Sequence, residues 1–230
     1  MMEENKNNLV SFDTPISYIA VEGAIGAGKT TLATLLAERL NAKLILEKIE
    51  DNPYLGKFYE SPGEYAFRTQ IFFLVDRYTQ LQQLHQKELF ESFIISDYIF
   101  DKDKIFAYMN LNDDELKLYE TICSSLDRNI VPPDLVIYLQ SSIDRLVYNI
   151  KQRDREIERG ITQEYINDLN DAYTYFFSRY KGSKVMIVNC EEVDFINNRI
   201  DFENLVDEIF KNDRSAIEYY NPSLRKTAQK

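Results

Sequence analysis

The chain has 230 residues, 44% of them hydrophobic, with two cysteines and a net charge of −11 at pH 7. That length and apolar content suit one α/β domain with a sizeable core; they exclude wholesale disorder, and no apolar run approaches membrane-spanning length. The acidic balance excludes broad nucleic-acid binding, which needs a basic face, so any anionic ligand must be held by local lysines and arginines.

Residues 1–14 are polar and partly acidic, unlike a secretory signal, and read as a flexible lead into a domain spanning 15–211. The first strand is Tyr18-Ile-Ala-Val-Glu22, short, apolar and partly β-branched. Three of the chain's seven glycines follow at once, in Gly23-Ala24-Ile25-Gly26-Ala27-Gly28-Lys29-Thr30-Thr31. This satisfies G-x-x-x-x-G-K-[ST], the phosphate-binding loop, and a helix with Leu32, Leu35, Leu36 and Leu40 in period comes next. The glycines let backbone N–H groups turn inward as an anion nest, and the helix N-terminus adds its dipole. Lys29 would reach the β- and γ-phosphates of a nucleoside triphosphate, and the Thr30 hydroxyl would ligate Mg2+.

Further strands are expected at Lys43–Glu47, Phe93–Asp97, Leu135–Leu139 and Val185–Asn189. Ser61-Pro62-Gly63-Glu64 has the form of a capping box opening a helix to about His85, itself a solvated cap or partner. Asn112 precedes three acids and a helical run through Leu126. Ser141 or Ser142 caps the next helix, and Thr162 one running to about Tyr180, whose Tyr173, Phe176, Phe177 and Tyr180 read as core or subunit contact. Five apolar strands separated by helices predict a five-stranded parallel sheet covered on both faces, an α/β P-loop NTPase fold. Residues 212–230 read as a polar tail. Cys123 and Cys190, far apart and without metal-ligand spacing, read as reduced core thiols of a cytoplasmic protein.

Ligands of such a sheet sit beyond the carboxyl ends of its strands. There the sequence places the glycine loop, Glu47 and Asp97, the last like the Walker-B acid that supports magnesium. Lys151, Arg153, Arg155 and Arg159 form a later basic cluster; on a continuous helix Lys151, Arg155 and Arg159 share one face. Their interleaved acids fit a salt-bridged surface helix, whereas a phosphate loop elsewhere in the chain favours a short arginine-bearing lid that closes over phosphates and excludes water.

The loop, Glu47, FYESPGEYAFRTQIFFLVDR (58–77), the strand ending FIISD and QRDREIERGITQEYI, in that order, resemble the deoxynucleoside kinase family. The resemblance runs from about Tyr18 to Val188. It implies ATP- and Mg-dependent 5′-phosphorylation of a deoxynucleoside in nucleotide salvage, by a homodimer. It implies that Glu47 is the base for the 5′-hydroxyl, that Tyr59 and Glu158 bind the sugar 3′-hydroxyl, and that Gln70 and Arg77 read the base. Arg153 and Arg155 then match the lid arginines. A glutamine amide offers donor and acceptor, and an arginine seven residues on shares its helix face, although both would also suit the polar side of an amphipathic helix.

One departure stands out. The family's acid-Arg-Ser/Thr motif after the third strand is replaced by Ser96-Asp97-Tyr98-Ile99-Phe100-Asp101-Lys102-Asp103-Lys104. In the preferred register Asp97 is the acid, Tyr98 replaces the arginine, and Asp103 is the base-contacting acid. In the register set by Ile105-Phe106-Ala107, Asp97 replaces the arginine itself. Lys102 or Lys104 is the candidate substitute. The alternatives in function are a thymidylate-kinase-like enzyme acting on a monophosphate and a non-catalytic ATP-binding regulator; a GTPase is excluded because neither [NT]-K-x-D nor D-x-x-G after a strand occurs. The base stays open among adenine, cytosine and guanine.

Overall fold

In the computed structural model, which describes residues 16–83, 93–128, 130–191 and 193–221, β1 (Tyr18–Gly23) occupies the sheet interior with all six residues buried. It pairs in parallel with β3 (Ile94–Ser96) on one side and β4 (Leu135–Gln140) on the other. β2 (Lys43–Ile45) lies outside β3, and β5 (Lys184–Asn189) and β6 (Ile217–Tyr220) extend the other wing in the order β2-β3-β1-β4-β5-β6. The sheet therefore has six strands rather than five. The sixth falls in the stretch expected as a polar tail, and its pairing with Val185–Val188 recruits it although only Tyr220 of its four residues is buried and Tyr219 is exposed. The lead 1–14 and His85 lie outside the described residues.

Pairing register shows why both faces need cover. Tyr18 opposes Ile94 and Ile19 opposes Ile95. Tyr18 and Ile94 belong to one core cluster and Ile19 and Ile95 to another, as a period of two requires. The larger core takes Leu32, Ala33, Leu36, Ala37 and Leu40 of α1 (Lys29–Leu40). The smaller takes Leu74 and Leu81 of α3 (Pro62–Gln82), which follows the short α2 (Leu55–Glu60). A fully buried leucine such as Leu36 or Leu74 contributes about 1.5–3 kcal/mol before entropy is counted. Cys190 lies in the first core and Cys123 in the second, both as free buried thiols. Tyr173 and Phe177 are fully buried against Tyr138, with ring centroids at 6.2 and 4.7 Å.

Helix starts divide into kept and altered expectations. α5 (Asp113–Asp127), after α4 (Lys102–Asn110), has the full capping box: Asn112 accepts from Asp114 N and Glu115 N, and Glu115 accepts from Asn112 N. Ser142 caps α6 (Ile143–Arg153) and Thr162 caps α7 (Gln163–Phe177). Ser61 precedes Pro62 at the start of α3 but makes no side-chain cap. It is also the last residue of the preceding turn, its N–H donating to Lys57 O, and the junction leaves it in a conformation unlike an ordinary cap. The basic cluster is not on one continuous helix either. α6 ends at Arg153, Asp154 turns left-handed (φ 40°), and a single 3₁₀ turn covers Glu156–Glu158. Beyond β5, α8 (Arg199–Ile209) is capped by Asn198.

Candidate active site

The strand order reverses direction around β1 and β3, and the residues past their carboxyl ends meet there, as the topology dictates. Asp97 N–H donates to Ile45 O at 3.1 Å, continuing the ladder past the strands. Its carboxylate takes Glu47 N–H at 2.8 Å and the Thr30 hydroxyl at 2.6 Å. Asp97 thus ties the start of α1 to the loop after β2. Glu47 sits two residues beyond the short β2, not within it.

The glycine turn is forced by close approach. Gly26 has φ +88°, and a Cβ there would meet Leu146 O at 2.6 Å. Asn149 Nδ2 of α6 donates to Gly26 O at 2.8 Å and fixes the turn against that helix. Lys29 donates to Gly23 O and Ala24 O at 2.8 and 3.2 Å. Burial and then the neighbouring Lys102 push its ammonium down to about 8, against the pull of Glu22, Glu47 and Asp97. Thr31, on the same turn of α1, is exposed.

On α3 the inner face carries Gln70 and Arg77 among Ala66, Leu74 and Leu81, both polar residues nearly fully buried. A guanidinium is not buried for packing: Gln70 and Arg77 open onto a polar cavity, while Leu74 and Leu81 of the same helix pack in the smaller core. Arg77 Nη2 lies 2.6 Å from Glu47 Oε1, and its Nη1 pairs with Asp103 Oδ1. Lys102 Nζ lies 2.7 Å from Glu47 Oε2. Gln70 Nε2 donates to Asp103 O at 2.7 Å, which leaves its amide oxygen as an acceptor. Two cations and two carboxylates therefore close one buried network. Burial by itself would raise Glu47, but Arg77 and Lys102 outweigh it and bring the carboxyl down to about 2. Burial pushes Asp103 up despite Arg77.

The end of α6 and the residues after it complete the enclosure. Arg153 makes a bidentate pair with Glu158, at 2.6 and 2.7 Å, while Arg155 stands 3.8 Å from Glu158 and 3.9 Å from Glu50. Gly160 lets this segment lie on Tyr59: a Cβ there would be 3.0 Å from the Tyr59 Cβ. Glu158 is buried, and burial raises the Tyr59 hydroxyl well above its usual range, Tyr165 and Glu158 adding to it.

One cavity of about 240 Å³ gathers nearly all of these groups. Lys29, Thr30 and Asp97 line it together with Glu47, and Tyr59, Gln70, Arg77, Arg153, Arg155 and Glu158 line it too. Ile25 is the other loop residue on its wall; Gly23, Ala24, Gly26, Ala27, Gly28, Thr31 and Asp103 are not on it. Of the two candidate lysines, Lys102 lines the cavity and Lys104 does not. Tyr173 is core, as its spacing predicts, and lines the cavity as well. Glu22 is a contributor that the sequence reading does not single out. Glu22, fully buried, accepts from Gly23 N, Ile99 N and the Tyr173 hydroxyl. An acid ending a strand just before the glycines was the available signal for it.

Thr30 and Asp97 offer a hydroxyl and a carboxylate in contact, hard oxygen donors of the kind magnesium takes alongside phosphate oxygens. Among the described residues no group of three or more His, Cys, Asp or Glu could hold a metal by itself.

The deoxynucleoside kinase family profile matches residues 19–213. A deoxyguanosine kinase of Bacillus subtilis is 36% identical over 193 residues, covering 82% of this chain and 93% of its own. A deoxyadenosine kinase of Dictyostelium discoideum is 37% identical over 173 residues, 71% of this chain and 69% of its own. Among solved structures, a deoxyadenosine kinase from M. mycoides with bound dATP superposes with a TM-score of 0.72 at 26% identity, over 84% of this chain and all of that one.

Proposed function

We propose that this chain, which belongs to the deoxynucleoside kinase family and is a nucleoside 5′-phosphotransferase, takes Mg-ATP as donor and a deoxynucleoside as acceptor, with Glu47 as the base. The observation that carries the reading is the single cavity onto which both the glycine loop's Lys29 and Thr30 and the α3 face of Gln70 and Arg77 open, with Glu47 on its wall. A transfer site needs donor and acceptor positions on one cavity with a carboxylate at hand. Membership of the family sets aside the monophosphate-kinase and non-catalytic alternatives.

In this mechanism the turn at Gly23–Thr31 and the Lys29 ammonium hold the donor phosphates, and Thr30 and Asp97 would hold the magnesium. Bound there, the ion neutralises charge on the phosphate oxygens. Tyr59 and Glu158 receive the sugar 3′-hydroxyl, while the Gln70 amide oxygen accepts from the base beside Arg77, which Asp103 holds in place. Adenine, cytosine and guanine each carry an amino group that this oxygen can take. Glu47 accepts the 5′-hydroxyl proton as the new O–P bond forms. Arg153 and Arg155 close over the phosphates and keep water, the competing acceptor, out. We also read the protein as a cytoplasmic homodimer; no helix among the described residues is long and apolar enough to cross a membrane, and exposed Val75 on α3 and Leu118 on the adjoining α5 mark a face to test by light scattering.

ADP release from Mg-ATP, measured with each deoxynucleoside and each monophosphate in parallel, tests the reading. Turnover with a nucleoside and none with its monophosphate is the expected result, and it names the base. Turnover with monophosphates alone contradicts it.

A further inference from the structure

Lys102 has no task in the chemistry set out above, yet it is one of the most expensively placed groups in the molecule. It opens α4, is 3% exposed, and its ammonium donates to Glu47 Oε2 at 2.7 Å. An ammonium so deeply buried is costly unless it is needed. In the empty site it balances Glu47, since Arg77 is shared between Glu47 and Asp103; Arg77 nevertheless holds the other Glu47 oxygen through two nitrogens, so Glu47 keeps a cation if Lys102 moves.

The second ammonium on the same cavity is Lys29, and its only partners among the described residues are the carbonyls of Gly23 and Ala24. Lys102 repels it strongly enough to be the main influence on Lys29 after burial. Glu22, the remaining buried acid nearby, is occupied by two backbone N–H groups and a tyrosine hydroxyl. Two ammonium groups brought to one buried cavity are mutually unfavourable while it is empty, and an anion entering it removes that cost. No other cation enters from the end of β3. Tyr98 is fully buried in the smaller core and donates to Gln80. Lys104 is held by Asp101 and Asp127, at 2.5 and 3.3 Å, and does not line the cavity.

We propose that Lys102 is a second catalytic cation for the transferred phosphoryl group: it holds Glu47 while the site is empty and moves onto the γ-phosphoryl oxygens as Glu47 turns to the acceptor hydroxyl. The proposal rests on the reading of the site as a nucleoside kinase. Lysine suits the move, having three donors on a flexible stem, so that one can stay on Glu47 while others reach the phosphoryl group. In the step, the acceptor oxygen bonds to the γ-phosphorus and its proton passes to Glu47. The bond to the bridging oxygen breaks, its electron pair leaving with ADP. Lys102 neither gives nor takes a proton; it stabilises charge on the oxygens in flight.

The test compares wild type, Lys102→Met, Lys102→Arg, Lys104→Met, Glu47→Gln and the Glu47→Gln/Lys102→Met double variant, each checked for a cooperative thermal melt. Wild-type turnover comes first: if no deoxynucleoside is phosphorylated, the kinase reading itself fails. With wild type active, Lys102→Met is expected to lose about 10²–10³-fold in kcat while the nucleoside KM stays within about threefold. Lys102→Arg should recover at least about tenfold of that loss, and Lys104→Met should match wild type. The double variant removes both members of the buried pair, which guards against a folding artefact. In the Glu47→Gln background, Lys102→Met should still cost about tenfold or more, because the cation acts on the phosphoryl group itself. No further loss in that background would mean that Lys102 only positions Glu47, and would overturn the proposal. Wild-type kcat in Lys102→Met, or an equal loss in Lys104→Met, would overturn it too, leaving the kinase reading intact.

Discussion

The two ends of the cavity are built differently. At the α3 end, Glu47, Arg77, Lys102 and Asp103 hold one another through charged contacts and need no ligand to stay in place. At the loop end, Lys29 rests on backbone carbonyls and Thr30 on Asp97, contacts that an incoming phosphate and its metal would displace. In the proposed reading the acceptor wall is therefore largely organised in advance, Lys102 excepted, and the donor end takes its working arrangement from the nucleotide. In the proposed mechanism this asymmetry holds Glu47 close to its working position before the phosphoryl group arrives.

The difference can be broken from either end. Lys29→Met removes the only side-chain cation of the loop, and we expect kcat to fall on the order of 10³-fold with deoxynucleoside binding unchanged by calorimetry. A matching loss of nucleoside binding would erase the distinction between the ends. Arg77→Met acts on the organised wall and leaves Glu47 and Asp103 short of a counter-charge in a buried site. A loss of about 3–5 kcal/mol in urea-melt stability is expected, while a change under about 1 kcal/mol would show that the network is not what holds that wall. Gly160→Val should press a side chain on Tyr59, raising the nucleoside KM by about tenfold with little change in kcat. The smallest effect sharpens the contrast by lying outside it. Asn112→Ala removes the α5 capping box for about 1 kcal/mol of stability, and kinetics should stay at wild type.

Much of the fold was legible because its signals are local. β1, the glycine turn and α1 follow one another within some twenty residues, and the inner face of α3 displays Gln70 and Arg77 two helical turns apart. β6 was not legible. Ile217-Glu-Tyr-Tyr220 is four residues without an apolar run, and only pairing with β5 makes it a strand. Ser61 looked like a cap because its neighbours spell one, yet the junction with α2 decides its backbone. Lys102 was hidden for another reason. Its partner Glu47 lies 55 positions away, brought close by the crossover between β2 and β3, and no periodicity links them. The break at Asp154 was likewise invisible, since the basic residues keep helical spacing across it.

The most direct test of the account is single-turnover phosphorylation by Glu47→Gln at saturating Mg-ATP and deoxynucleoside, with nucleoside affinity measured alongside. The account predicts a rate about 10²–10⁴-fold below wild type and a dissociation constant within a few-fold, since the amide keeps its place beside Arg77 but takes no proton. Turnover near the wild-type rate would contradict it, and the carboxylate held by Arg77 and Lys102 would then be part of the wall and not the base.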